Sequence, residues 1–161
     1  MNIAVLYGGK SGEHEVSLRS ASSVVRRIDR TKHTIILIGI AKDGRWYLQS
    51  QDELTRILND DSAFLCIDEN PACLVRILPG GGSNGALQCA VNLEGGARKT
   101  DENHAIQTDI VLPVLHGSYG EDGLVQGLLE MAELPYCGCT VLSSALAMDK
   151  EQTKKVWMQE G

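Results

Sequence analysis

The stretch Ile3–Ser17, which reads IAVLYGGKSGEHEVS, decides how the chain begins to fold. Its first five residues are apolar, and two glycines follow them directly. A short apolar run closed by glycines is typical of a strand that is buried on both faces of a parallel sheet. Apolar residues then recur at spacings of three, four and three, at Leu18, Ala21, Val25 and Ile28. This spacing is helical, so the pattern predicts a strand, a glycine turn and a helix.

A second unit of the same kind begins at Asp109. The apolar run 110–115 predicts a buried strand that ends in His116 and Gly117, and a polar turn follows it over residues 118–122. The next helix is expected to have Asp122 as its N-cap. It carries three apolar residues on a shared face, namely Leu124, Leu128 and Met131.

Other segments complete the expected architecture. The pattern predicts a buried strand at 34–40, a hairpin partner at 45–48 and helices at 52–58 and 143–148. Asp149 is expected to cap one more helix, with Gln152 at its third position. The region 63–108 contains apolar runs at 64–67, 74–78 and 87–91 and a polar stretch at 94–104, and is interpreted as an antiparallel insertion. A short strand is also possible at Tyr136 and Cys137. Together these elements predict an α/β fold, with an open, mainly parallel sheet and helices on both faces.

Composition excludes several classes of protein. The chain has 161 residues, 43% of them hydrophobic and 22% charged, which fits one globular domain with a fragment of a second. The net charge of −6 argues against nucleic acid or an anionic membrane as the main partner. No run of about 18 apolar residues and no signal peptide is apparent, so we expect a cytoplasmic protein. The five cysteines lack a CxxC pair and are expected to be small buried residues in a reducing compartment.

Two familiar phosphate-binding motifs fail at the first glycine turn. The string Gly9-Lys10-Ser11 would need a glycine at Ala4 to make a P-loop, and a dinucleotide fingerprint would need a glycine at Lys10. The glycines still allow the backbone to approach a ligand at the carboxyl end of the first strand.

Two side chains are expected at that same edge of the sheet. Glu13 lies at the start of the first helix, where the positive helix end favours an ionised carboxylate that can receive an ammonium group. A solvated glutamate at a helix start is the alternative. His116 follows the strand 110–115, so we expect it in the same crevice, where it can donate a hydrogen bond to a carboxylate or an oxyanion. Its alternative is a purely structural histidine. Tyr119, Glu121 and Asp122 would form a polar loop over the crevice, while His14 is expected on the surface.

The strings themselves resemble a known family. Residues 3–9 with 11–18, IAVLYGG and SGEHEVSL, resemble the opening of D-alanine–D-alanine ligases. Residues 115–127, LHGSYGEDGLVQG, are similar to their second signature, and residues 143–150, SSALAMDK, to the passage into their central domain. The segment around Trp46 and the long insertion look more like the longer members, which include the vancomycin-resistance ligases.

The resemblance implies an ATP-grasp ligase with a Rossmann-like N-terminal domain. In that family ATP phosphorylates a first D-alanine, the amine of a second attacks the acyl phosphate, and Mg²⁺ neutralises the phosphates. The product enters peptidoglycan precursors. By resemblance Glu13 is catalytic and holds the first ammonium group, Lys150 contacts ATP, and no metal ligand is assigned. The implied substrate-binding residues are His116, Val16, Gly8 and Gly9.

The expected organisation is a substrate domain at 1–148 and the first helix of a central ATP-grasp domain at 149–161. We expect this chain to be inactive alone, and the family implies a homodimer that binds D-alanine. Two alternatives remain open. One is a ligase that joins D-alanine to D-serine or D-lactate, and the other is a non-catalytic module that binds a small amino acid.

Overall fold

A computed structural model describes residues 1–89 and 105–160. The polar stretch 94–104 and the end of the run 87–91 lie outside these residues. Strands in the described part are short and close to the predicted ones: β1 Asn2–Gly8, β2 Thr34–Ile40, β3 Trp46–Leu48, β4 Leu74–Ile77, β5 Leu87–Cys89 and β6 Ile110–Val114. The helices are α1 His14–Arg27, α2 Gln51–Asn59, α3 Gly82–Gly85, α4 Leu124–Met131, α5 Val141–Met148 and α6 Lys150–Glu160, with a 3₁₀ turn at Pro71–Cys73.

The described strands form one six-stranded sheet in the order β5-β4-β3-β2-β1-β6. β1 lies between β2 and β6 and is parallel to both. The other three strands extend the sheet beyond β2 by antiparallel pairing. Tyr136 adds an isolated parallel bridge to Val111 at the opposite edge. The predicted α/β fold is therefore confirmed, with a parallel centre and an antiparallel extension.

Helices cover both faces of this sheet. Successive side chains of a strand point to opposite faces, and β1 is buried on both. Val5 and Tyr7 pack in the cluster that also contains side chains of α1 and α2. Ala4 and Leu6 pack on the other face, in the cluster that contains Val125 and Leu129 of α4. These two cores hold β1 in the centre of the molecule, so its carboxyl end is a fixed point for the loops that follow.

The predicted strand at Phe64–Ile67 is absent from the described sheet, because side chains take its backbone donors. Leu65 N–H donates to Ser22 Oγ of α1 over 2.7 Å. Cys66 N–H donates to the Glu53 carboxylate of α2 over 2.8 Å. The segment therefore lies across the helices and buries Leu65, which is 1% exposed.

Helix α4 turns its predicted apolar face outward. Leu124, Leu128 and Met131 do share one face, but they are 57%, 38% and 66% exposed. Val125 and Leu129 are the residues that pack against the sheet. The helix is apolar on both sides, so periodicity alone did not identify the buried one.

The N-caps of α4 and α6 and the burial of the cysteines can also be compared with the predictions. The N-cap of α4 is Gly123, not Asp122, although the Asp122 carboxylate accepts a hydrogen bond from Leu124 N–H over 3.2 Å. Asp149 caps α6 as predicted, accepting from the backbone of Glu151 and Gln152. All five cysteines are free, and the expectation that they are buried is wrong: three are exposed and two are half-buried. No helix in residues 1–89 and 105–160 is long and apolar enough to cross a bilayer.

Candidate functional site

The loops after β1 and β6 meet at one edge of the sheet. The two strands are parallel neighbours, so their carboxyl ends lie side by side. Glu13 Oε2 lies 2.7 Å from the position that a Cβ atom on Gly117 would occupy. The His116 ring contacts the same helix that Glu13 precedes, with Nε2 3.0 Å from Ser20 Oγ. The structure therefore brings Glu13 and His116, which are 103 residues apart, to the same crevice.

The Glu13 carboxylate is exposed at the positive end of α1. Glu13 is the N-cap residue, yet its side chain makes no capping hydrogen bond. A carboxylate at this end of a helix is stabilised in its ionised form. Gly117 makes the close approach possible, because it adopts φ +69° and has no side chain to meet the carboxylate. The arrangement leaves a negative charge free at the mouth of the crevice.

Serines of the first loop and of α1 hold the two strand ends together. Ser11 Oγ donates to the His116 carbonyl over 2.6 Å and accepts from Glu13 N–H over 3.1 Å. Ser17 Oγ accepts from Gly8 N–H over 2.8 Å and donates to the Val114 carbonyl. Both serines thus connect the β1 side of the crevice to the β6 side.

A small cavity lies beside these loops. Its volume is about 150 Å³, and Gly8, Gly9 and His116 line part of its wall. The remainder is largely apolar and includes Trp46 and Leu115. His116 therefore borders a concave site, the kind of place where small ligands bind in proteins.

The polar loop after His116 is shaped by its own carboxylates. Gly117 N–H donates to Glu121 over 2.6 Å, and Tyr119 N–H donates to Asp122 over 2.7 Å. Because the Glu121 and Asp122 carboxylates both accept backbone hydrogen bonds from the loop, these two residues stabilise its conformation. Lys10 of the first loop lies with its Nζ 4.9 Å from the Tyr119 ring centroid, so the two loops also meet through a cation–π contact.

His14 corrects an expectation, because it is buried and not on the surface. It is 7% exposed, and its Nδ1 lies 2.7 Å from the Gly9 carbonyl oxygen, to which it donates. The sequence already indicated this burial, because His14 lies at helical spacing from Leu18, Ala21 and Val25 and so shares a face of α1 with them. This hydrogen bond stabilises the glycine turn.

The remaining predicted residues lie apart from the cavity. Val16 is 49% exposed on α1 and does not line the cavity that His116 lines. Lys150 is the first residue of α6 and is exposed. The structure thus places Gly8, Gly9 and His116 in the cavity wall. Glu13 is not in this wall but lies against Gly117, the residue after His116. Val16 and Lys150 have neither position.

A family comparison identifies the chain. The model described as "D-ala D-ala ligase N-terminus" matches residues 2–139. The chain belongs to this family. The D-alanine–D-alanine ligase of Treponema denticola is 48% identical over 161 residues, which are 100% of this chain and 40% of that protein. The ligase of Proteus mirabilis is 39% identical over 156 residues, 97% of this chain and 39% of that protein.

Solved structures of D-alanine ligases share the fold. The D-alanine–D-alanine ligase of Coxiella burnetii superposes with a TM-score of 0.74 at 33% identity, covering 100% of this chain and 41% of that one. VanG, a D-Ala:D-Ser ligase of Enterococcus faecalis, gives a TM-score of 0.70 at 37% identity, covering 96% and 40%. The chain thus spans about two fifths of the length of its ligase relatives.

The start of α6, where Lys150 lies, has its first-turn amides occupied. The first-turn amides of α6 that could meet a phosphate, those of Glu151 and Gln152, already donate to Asp149. Lys150 beside them is a single exposed cation. Within residues 1–89 and 105–160 no group of three His, Cys, Asp or Glu side chains is placed to hold a metal ion.

Proposed function

We propose that this chain is the substrate-holding N-terminal domain of an ATP-dependent ligase that joins two D-alanines for peptidoglycan precursors. Its membership of the D-alanine–D-alanine ligase N-terminal family supports the proposal. In this proposal residues 1–148 are the substrate domain and residues 149–161 begin the central ATP-grasp domain. That boundary is supported by α6, which buries none of its described side chains and whose main contact with another element is with α5.

The observation that carries the proposed role is the Glu13 carboxylate, which makes no capping hydrogen bond and lies beside Gly117, the residue after His116. D-alanine is a zwitterion, so its holder needs a negative group for the ammonium and a hydrogen-bond donor for the carboxylate. Glu13 supplies the first as a charge-assisted acceptor, and the His116 imidazole supplies the second. Gly8 and Gly9 line the cavity at the carboxyl end of β1, where the small substrate would lie in this proposal.

ATP and Mg²⁺ belong to the complete enzyme in this proposal. Lys150 is the one residue assigned to ATP in this proposal, and we propose that the other phosphate-binding groups belong to the remainder of the ligase. We therefore expect the 161 residues alone to release no phosphate from ATP in the presence of D-alanine. A colorimetric phosphate assay tests this expectation, and release above the no-enzyme background would contradict it.

Glu13→Gln in the full-length ligase tests the proposed site. The substitution keeps the shape but removes the charge, which costs about 1.5–3 kcal/mol of substrate binding. We expect the KM for the first D-alanine to rise about 10- to 150-fold, measured by coupled ADP release over a D-alanine titration.

Glu15→Gln is the matched control. Glu15 is two residues further along, is exposed, and pairs with Lys42 over 3.0 Å instead of facing Gly117. Its substitution should change the same KM less than about twofold, because exposed ion pairs contribute little. Equal effects of the two variants, or none from Glu13→Gln, would remove Glu13 from the site.

The second substrate remains part of the proposal. Similarity to VanG, a D-Ala:D-Ser ligase, supports D-serine as an alternative to the second D-alanine. The expected closeness to the vancomycin-resistance ligases stays a prediction, since the curated relatives named above are D-alanine–D-alanine ligases. Mass spectrometry of the dipeptide formed from equal D-alanine and D-serine would distinguish the two. We also propose a cytoplasmic homodimer, which sedimentation analysis of the full-length protein would test.

A further inference from the structure

Ser20 is the serine of α1 whose hydroxyl contacts the His116 ring, whereas the hydroxyls of Ser22 and Ser23 donate within the helix. Ser22 Oγ donates to the Leu18 carbonyl over 2.7 Å, and Ser23 Oγ donates to the Arg19 carbonyl over 3.3 Å. Both bonds stay within the helix, as is usual for serine in a helix interior. Ser20 Oγ instead lies 3.0 Å from Nε2 of the His116 ring, 96 residues away in the chain. Ser20 is therefore a helical serine that contacts the crevice imidazole.

The His116 residue is held at two separate points. Its backbone carbonyl accepts from Ser11 Oγ over 2.6 Å, which places the residue at the crevice. Its ring meets Ser20 through Nε2. In a neutral imidazole one ring nitrogen is a donor and the other an acceptor, and a partner on one nitrogen decides which. The Ser20 hydroxyl thus acts on the ring independently of the backbone contact.

We propose that Ser20 is a positioning residue for His116. The Ser20 hydroxyl donates to Nε2, which keeps the proton on Nδ1 and makes Nδ1–H the donor available to the D-alanine carboxylate. This inference rests on the proposed function for the part that concerns the substrate. The tautomer expected in the free protein, however, is inferred from the Ser20–His116 contact and not from the proposed function.

Three variants of the full-length ligase separate this role from a structural one. Ser20→Ala removes the hydroxyl while improving helix propensity, so α1 should persist. Ser20→Thr keeps a hydroxyl on the same helical position. Ser23→Ala is the control, because Ser23 is exposed and its hydroxyl serves only its own helix. Thermal unfolding confirms that each variant is folded before it is compared.

The first measurement is ¹⁵N NMR of histidine-labelled protein without substrate, above pH 7.5, with the His116 signals identified by their loss in His116→Gln. We expect the wild type and Ser20→Thr to show a protonated Nδ1. Ser20→Ala should shift both ring nitrogens towards the average of the two tautomers, and Ser23→Ala should match the wild type. Unchanged ring shifts in Ser20→Ala would overturn the proposal.

The second measurement is kinetic. Loss of one hydrogen bond that orients the donor should raise the KM for the first D-alanine about three- to tenfold in Ser20→Ala, with kcat changed less and Ser20→Thr restored. A shifted tautomer with an unchanged KM would overturn the substrate part of the proposal. Because the NMR experiment contains no substrate, its outcome is independent of the Glu13→Gln test.

Discussion

Ser17→Ala is expected to destabilise the fold strongly, because the Ser17 hydroxyl makes hydrogen bonds with two backbone groups, Gly8 N–H and the Val114 carbonyl. Ser17 is 0% exposed. Its Oγ accepts from Gly8 N–H over 2.8 Å and donates to the Val114 carbonyl. Leaving the Gly8 N–H unpaired costs about 1–3 kcal/mol, and losing the second bond about 0.5–1.5 kcal/mol. Alanine's better helix propensity returns about 0.5 kcal/mol. The expected net loss in the free energy of unfolding is therefore about 1–4 kcal/mol.

Urea unfolding followed by far-UV circular dichroism measures this loss. With an m-value of about 2 kcal/mol/M, the midpoint should fall by about 0.5–2 M. Ser23→Ala on the exposed side of the same helix should stay within about 0.5 kcal/mol of the wild type. If Ser17→Ala and Ser23→Ala unfold at the same urea concentration, Ser17 does not hold the strand ends together as described.

Two further stability predictions use the same assay. Gly8→Ala should lower the free energy of unfolding by more than about 2 kcal/mol, because Gly8 has φ +90° and a Cβ there would lie 2.7 Å from an isoleucine methyl group. The exposed Gly12→Ala should change this free energy little. Equal urea midpoints for the two variants would refute the prediction. Burial raises the pKa of the Glu53 carboxyl, but hydrogen bonds from Arg56 and from Cys66 N–H outweigh it and hold that pKa below 4.5. Glu53 therefore stabilises the fold above about pH 4.5 and loses this effect as the pH falls; the wild type should exceed Glu53→Gln in stability at pH 7 by more than at pH 3, and a constant difference would argue against it.

Strand positions followed closely from the sequence where the strand is buried on both faces. β1, β2 and β6 appear as continuous apolar runs, and the structure places each within one residue of the predicted bounds. The run 64–67 has the same composition but forms no strand, because Ser22 and Glu53 capture its backbone donors. Nothing local in the run distinguishes these outcomes, since the competing partners lie on other elements.

In the candidate site, too, some features could be predicted from the sequence and others could not. Parallel strands bring their carboxyl ends to one edge, so the positions of Glu13 and His116 after β1 and β6 were enough to expect them together. The contacts of Ser17 and Ser20 could not be anticipated, since a serine in a helix usually bonds its own turn. The helical spacing was enough to predict that His14 is buried, but it did not identify the Gly9 carbonyl to which His14 donates.

The amino-acid sequence by itself determined the strand–turn–helix units, the family and the edge of the sheet where the acidic group and the imidazole meet. These follow from short-range periodicity and from the chain direction of parallel strands. The tertiary structure decided which face of α4 is buried, which backbone groups the serines satisfy, and which ring nitrogen of His116 is engaged. Those features depend on hydrogen bonds and packing between residues far apart in the chain, such as Ser11 and His116, which are 105 positions apart. Such partners meet only when the whole sheet has assembled.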